Sequence, residues 1–279
     1  LKATGFRGSR LGGALRALVW RFGRRLYCWA RGDFLNRPET NGEYWLIENF
    51  FESAGPDTVV LDVGANVGDW TARVLEAAAA RGAQVEVHAF EPCSATRALL
   101  AQRLSGRRGV AISPCAVSAS EGEADFFSRG AGAGTNSLAA RPGDAVERVR
   151  TTTIDAYAAQ KGLGAIGLLK IDAEGYDFAV LRGAERLLAS GRVEVVQFEY
   201  NWQWLSNHVS LRDVFDFIAG KPYRLGKLAG PAVELYAEWH FELDRFFENN
   251  YVLVREGSPL LDGARAMSFD ASNCAREVE

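Results

Sequence analysis

Between residues 59 and 200 the chain alternates two hydrophobic rhythms: short apolar runs that end at an acidic residue or a glycine turn, and longer stretches with apolar positions spaced for one helix face. Val59-Val60-Leu61-Asp62-Val63 reads as a buried strand, followed by a helix over 70–81 that carries Val74, Leu75 and several alanines. A second strand over 85–90 leads into a helix over 94–104, with Ser94 as its N-cap. Val110-Ala111-Ile112 opens a third strand expected to end near Ala116-Val117-Ser118. Residues 122–127 predict a short hairpin strand. Residues 129–150 read as a loop, in which Gly130, Gly132 and Gly134 before Thr135-Asn136-Ser137 suggest a mobile flap.

Order resumes at 151–157. A strand over 166–172 turns at Glu174-Gly175-Tyr176-Asp177 into a helix with Phe178, Val180, Leu181, Leu187 and Leu188. A strand over 193–200 and a helix over 211–218 follow, and 223–225 with 251–254 predict a terminal antiparallel pair. Strands alternating with helices imply an α/β fold, a doubly wound, mostly parallel sheet whose ligands bind beyond the carboxyl ends of the strands. Asp62, Glu91, Asp172 and Glu199 each end a predicted strand, which places four carboxylates along one rim.

The first strand and its turn, Asp62-Val63-Gly64-Ala65-Asn66-Val67-Gly68, followed by Glu91 at the next strand end, have the spacing of a site for the adenosine part of a nucleotide-like cofactor. An acid at Glu91 can accept hydrogen bonds from both ribose hydroxyls. A dinucleotide fingerprint would need Gly-x-Gly-x-x-Gly to seat a pyrophosphate, and the central glycine is missing here. Asp62 beside the turn would repel a pyrophosphate but suits a ligand with an ammonium and a sulfonium, so S-adenosylmethionine is favoured over NAD.

Composition changes this picture little. With 279 residues and 48% hydrophobic content the chain can bury a full core as one domain. Its 32 basic and 35 acidic residues give a net charge of −3, which predicts no nucleic-acid partner. The basic charge is uneven: Lys2, Arg7, Arg10, Arg16, Arg21, Arg24, Arg25, Arg31 and Arg37 crowd the first 40 residues among Leu15, Leu18, Trp20, Phe22, Leu26 and Trp29. That pattern predicts an amphipathic basic helix, which covers the main domain, links it to an upstream segment, or makes weak contact with an anionic membrane surface. No secretory or membrane-spanning apolar run is evident. Cys28, Cys93, Cys115 and Cys274 show no paired metal or redox spacing, so a reduced, cytoplasmic setting is expected, with Cys93 and Cys115 as small buried apolar groups.

The same residues carry a resemblance. Asp62–Gly68, Phe90-Glu91-Pro92, Ala116-Val117-Ser118, Lys170-Ile171-Asp172-Ala173-Glu174-Gly175 and Gln197-Phe198-Glu199-Tyr200 together resemble the FkbM family of S-adenosylmethionine-dependent methyltransferases, over about residues 57 to 255. The resemblance implies a class I methyltransferase sheet of seven strands with the last one reversed. It also implies O-methylation of a hydroxyl on a sugar, polyketide or related natural product, and so a small-molecule or glycan acceptor. The chain then divides into a basic segment at 1–40, a methyltransferase domain at 41–255 and a tail at 256–279. Oligomeric state is left open.

Roles follow from position. Asp62, Gly64, Asn66, Gly68 and Glu91 are expected to bind the cofactor, with Asp62 holding either the turn or the cofactor's ammonium, and Ala116, Val117 and Ser118 are expected near the adenine. Asp172 is the first choice for catalysis, accepting or orienting the acceptor hydroxyl's proton; Glu199 and His208 are alternatives for the general base. Lys170 is expected to pair with a rim acid. Trp202 and Trp204 either stack on an acceptor or pack in the core. Asp172, Glu174, Glu199 and His208 could ligate magnesium, but their spacing does not demand it, and no metal is expected. A non-catalytic cofactor-binding scaffold is the alternative from another class, and an NAD-dependent oxidoreductase the third.

Overall fold

Alternate residues of the central strands face opposite ways, and that alternation sorts the interior into two layers. Leu61, Leu169, Val196 and Leu253 join one apolar cluster, while their chain neighbours Val60, Leu168, Val195 and Val252 join the other. The computed structural model describes residues 10–33, 37–134, 136–138 and 144–278.

A helix at Arg10–Ala30 (α1) precedes the domain, and α2 (Glu43–Ser53) packs Leu46, Ile47 and Phe50 onto the sheet. The first half then runs β1 (Asp57–Val63), α3 (Asp69–Ala80), β2 (Gln84–Phe90), α4 (Ser94–Arg103) and β3 (Val110–Ser113). Helices α2, α3 and α4 cover one face. A small second sheet follows, built from β4 (Ala116–Val117), β5 (Gly122–Ser128) and β6 (Ala145–Thr152).

The second half runs α5 (Ile154–Lys161), β7 (Ile166–Ile171), α6 (Asp177–Arg182), α7 (Glu185–Ala189), β8 (Val193–Tyr200), a short 3-10 helix at Trp202–Asn207, α8 (Leu211–Ile218) and β9 (Tyr223–Leu228). Its helices cover the opposite face. Thr153 starts α5 by accepting the Ala156 N–H, and Ser210 with Asp213 forms a reciprocal cap on α8. β10 (Val233–Tyr236), β11 (Asn249–Arg255), β12 (Arg265–Phe269) and β13 (Ala275–Glu277) complete the main sheet.

The order β3-β2-β1-β7-β8-β11-β9 is the expected seven-stranded arrangement. The first five strands are parallel, and β11 runs antiparallel to both of its neighbours. The fold is therefore that of a class I methyltransferase. Three further strands extend the β9 edge, two of them drawn from residues that the sequence reading set aside as a tail.

Two expectations are corrected. The third strand stops at Ser113, before Pro114, which has no N–H to offer a ladder. Ala116 and Val117 pair instead with Thr151 and Thr152 in the second sheet. The loop expected at 129–150 gives way at Ala145 to β6, which pairs antiparallel with β5. It is charged on its exposed positions, which hides its alternation from a reading for apolar runs. Among the described residues no helix is long and apolar enough to cross a membrane.

Candidate active site

Val63 pairs with Phe90 on one side and Ile171 on the other, so the chain leaves β1, β2 and β7 at one level of the sheet. The residues just past those ends, Gly64, Glu91 and Asp172, line a common cavity of about 630 Å³, counting space open to solvent. Its other walls include Asn66, Phe90, Ala116, Val117, Phe126, Leu138 and Tyr176.

The turn after β1 is built around close backbone approach. Gly64 has φ +78°, and a Cβ there would lie 1.9 Å from the Asp172 carbonyl oxygen, so β1 and β7 can leave the sheet side by side only with glycine. Asn66 also takes a left-handed conformation, φ 48°. This turns its N–H onto Glu91 Oε2, at 3.0 Å. Glu91 Oε1 accepts the Cys93 N–H at 2.9 Å. Burial pushes the Glu91 carboxyl up to about 7, against those two hydrogen bonds, which favour the charged form. A carboxylate has about four lone-pair sites, so acceptor capacity remains. Asn66 Oδ1 is buried and has no hydrogen-bond partner among the described residues.

Asp62 stands behind this wall. It is fully buried, accepts the Thr71 hydroxyl at 2.5 Å and lies 3.8 Å from Lys170 Nζ, its cross-strand neighbour. Burial raises its pKa, with Lys170 and Thr71 opposing. Asp62 does not line the cavity, and its contacts are with Thr71 of α3 and Lys170 of β7. Lys170 is likewise buried and lies 3.1 Å from Asp172 Oδ2. Burial alone would discharge this ammonium, but Asp172, then Asp62 and Glu43, outweigh burial and raise its pKa.

The loop after β7 is held from inside. Asp177 accepts the N–H groups of Ala173 and Gly175, each at 3.1 Å, and burial followed by the Asp172 charge pushes its carboxyl up to about 7. Glu174, with φ 51°, is bonded to Gln203, and its carbonyl accepts the Ser137 hydroxyl at 3.0 Å. The glycine-rich segment expected to be a flap is thus tied down at Ser137, and at Gly132, whose N–H reaches Thr96 Oγ1 at 3.0 Å. Asn136 lines the cavity, whereas Thr135 lies outside the described residues.

The expected rim of four carboxylates reduces to two in the cavity, Glu91 and Asp172. Glu199 is outside the lining; its carboxyl accepts from Asn201 at 2.6 Å, and burial, then Asp172, Glu248 and Asp177, raise its pKa well above the ordinary range. His208 is exposed, closes the 3-10 helix with φ 55° and does not line the cavity, so the structure does not bring it to Asp172. Gly68 does not line it either: it stands at the start of α3 with φ +89°, a left-handed backbone that favours glycine. Ala116 and Val117 line the cavity from the second sheet, but Ser118 does not. Its N–H bonds the Thr152 carbonyl at 2.9 Å.

Trp204 is core and Trp202 is exposed. Cys93 is buried as expected, while Cys115 is half-buried and faces the cavity. Among the described residues no group of three His, Cys, Asp or Glu is placed to hold a metal.

Sequence reasoning missed Asp177, Tyr176, Phe126 and Leu138. Asp177 carried a local signal, an Asp two residues past a glycine, able to fold back on backbone N–H groups. Phe126 and Leu138 depend on how the second sheet sits, and Tyr176 on the path of the loop after β7.

The sequence matches the family described as "Methyltransferase FkbM domain" over residues 62–225, more than half of the chain. The chain belongs to this FkbM family. Its members are S-adenosylmethionine-dependent methyltransferases, and the matched segment begins at Asp62 and takes in Glu91 and Asp172. Among solved structures, the chain is similar to Methyltransferase FkbM from Methylobacillus flagellatus KT at 15% identity and a TM-score of 0.44, over 72% of this chain and 45% of that one. It therefore spans less than half of that protein's length. It is also similar to precorrin-6y C5,15-methyltransferase from Geobacter metallireducens GS-15, at 10% identity and a TM-score of 0.39, over 76% and 88% of the two chains. A third similarity is to the 23S rRNA methyltransferase ErmE, at 14% identity and a TM-score of 0.38, over 78% and 70%. No curated protein matches the sequence.

The residues present fit the cofactor of this family. Glu91, with spare acceptor capacity, and Asn66, whose Oδ1 has no partner among the described residues, both line one cavity of the size that small ligands occupy. Glu91 would hold the ribose hydroxyls and Asn66 a donor of the ligand.

Proposed function

We propose that the chain is an S-adenosylmethionine-dependent O-methyltransferase acting on a hydroxyl of a sugar, polyketide or other natural product. One observation carries the reading: Glu91 and Asn66, fitted to an adenosyl ligand, share a cavity with Asp172, a carboxylate positioned by a buried ammonium.

Bound S-adenosylmethionine supplies a methyl group already activated by its sulfonium. The chain's own residues then have two tasks. The first is alignment: Gly64 and Asn66 fix the loop under the ligand, and Asp177 fixes the loop that carries Asp172. Alignment of reacting groups can contribute about 7–11 kcal/mol. The second is proton removal, worth roughly 10²–10⁴-fold. Lys170 engages Asp172 Oδ2, so Oδ1 would take the acceptor's proton while the hydroxyl oxygen bonds to the methyl carbon and that carbon's bond to sulfur breaks, leaving a neutral thioether. The aromatic and apolar walls, Phe126, Leu138 and Tyr176, exclude water and suit a flat or sugar-like acceptor.

The test is to incubate the protein with methyl-labelled S-adenosylmethionine and cellular extract, then resolve small molecules, glycans, RNA and protein. Label in a small molecule or glycan that gains one methyl group on oxygen, and none with Asp172→Asn, is the expected result. Label confined to RNA or protein would overturn the acceptor class.

A further inference from the structure

Helix α1 leaves its apolar side uncovered. Leu18, Phe22 and Trp29 are 62%, 64% and 80% exposed, and Leu15, Val19 and Leu26 are each close to half exposed or more. At 3.6 residues per turn these six side chains occupy one arc of roughly 100° along the helix. Arg21 and Arg25 border the arc on one side and Arg16 borders it on the other.

The helix is anchored by its opposite side, near its C-terminal end. The Tyr27 hydroxyl donates to Glu242 at 2.7 Å, the Tyr27 ring meets Phe247 edge-on at 6.0 Å, and the Arg24 guanidinium sits 5.1 Å above the Phe247 ring. Just past the helix, Arg31 bridges Asp33 at 2.9 Å and Glu242 at 3.1 Å. These contacts fix which way the apolar arc faces, and it faces away from the domain.

Charge decides between the surfaces that could cover it. From Arg10 to Ala30 the helix holds no acidic residue. A second copy laid against the same arc would bring arginine beside arginine, which is unfavourable. An anionic lipid surface presents the opposite charge, lets the arginine stems lie along the apolar layer with their heads among the phosphates, and accepts tryptophan at the boundary.

We propose that α1 is an interfacial helix that docks this protein in the plane of an anionic phospholipid bilayer, with Leu15, Leu18, Val19, Phe22, Leu26 and Trp29 at the acyl boundary and Arg16, Arg21 and Arg25 among the headgroups. This docking is independent of the reaction at Asp172.

The test uses the full chain and sedimentation with vesicles, either phosphatidylcholine alone or an anionic mixture of phosphatidylcholine and phosphatidylglycerol. Binding to the anionic vesicles, a blue shift of tryptophan emission and weaker binding in high salt are expected. Arg21→Gln with Arg25→Gln should lower the partition roughly 25-fold, at about fivefold for each charge. Phe22→Ser with Leu26→Ser leaves the charge unchanged and should lower it on the order of a hundredfold. Both pairs are on the exposed helix, and an unchanged melting temperature verifies the fold. No sedimentation with anionic vesicles, equal binding to neutral ones, or full binding by the Phe22→Ser/Leu26→Ser variant would each overturn the proposal. So would a dimer, seen by analytical ultracentrifugation, that the same variant dissociates.

Discussion

The Asn66 N–H donates to the Glu91 carboxylate at 3.0 Å, joining the turn after the first strand to the end of the second. Each residue thereby fixes the other. Asn66 can hold its left-handed backbone because Glu91 takes its N–H, and the buried Glu91 is retained because the turn supplies a donor. Both then face the same cavity, which gives the proposed cofactor site its pH dependence.

Without ligand, the Glu91 carboxyl titrates at about 7. In the proposed site ribose hydroxyls would donate to its charged form, so binding would expel the proton wherever Glu91 is protonated. Affinity for S-adenosylmethionine should therefore rise with pH, by up to about tenfold per unit below about pH 7, and level off above it. Calorimetry across a pH series checks this, and Glu91→Gln should flatten the profile.

The ligand-free protein should lose stability as pH rises. The folded-state values of Glu91 and Asp177, both about 7, exceed their ordinary values of 4.5 and 3.8. Their contribution is fully present below those ordinary values and is lost as pH climbs through about 7. Urea unfolding from about pH 5 to about pH 8 reads it, and saturating cofactor should reduce the Glu91 part.

Lys170→Met should destabilise the fold by about 3–5 kcal/mol, because Asp62 is left buried without its cation. Denaturant midpoints measure this directly. Turnover should fall as well, since Asp172 loses its anchor.

Asp172→Asn keeps the shape and removes the proposed base. Turnover is expected to fall about 10²–10⁴-fold while cofactor affinity changes little. Single-turnover methyl transfer, together with calorimetry on the same variant, separates the two effects.

Gly64→Ala should abolish folding, because its Cβ would lie 1.9 Å from a backbone oxygen with nowhere to move. Gly82→Ala, at φ +65° in open space, should cost only about 1–2 kcal/mol. Circular dichroism of the two variants distinguishes crowding from backbone conformation alone.

Much of the sheet was legible because 59–63, 166–171 and 193–200 are mostly apolar runs bounded by turns, as befits strands buried on both faces. Glu91 and Asp172 were legible as cavity residues because topology alone gathers the residues just past the parallel strand ends. The second sheet was not: Glu147, Arg148 and Arg150 carry β6 through solvent, and of its residues only Val149 and Thr152 are buried. β12 and β13 escaped for the same reason, being the last two strands at one end of the sheet, with little burial. His208 was chosen for its chemistry and its nearness in sequence to Glu199, but the 3-10 helix between them turns it out to solvent. Asp62 ends up under the site because strand side chains alternate, setting it beside Lys170 while the residues one step past the strand ends face the cavity.

The most direct test of the account is calorimetric titration of S-adenosylmethionine into the wild-type protein and Glu91→Gln at a pH above about 7, with melting temperatures as a control for folding. Hydrogen bonds to a charged carboxylate are worth about 1.5–3 kcal/mol, so the substitution should weaken binding roughly 10- to 150-fold. Unchanged affinity in a folded Glu91→Gln protein would contradict the placement of the adenosyl ligand at Glu91 and Asn66.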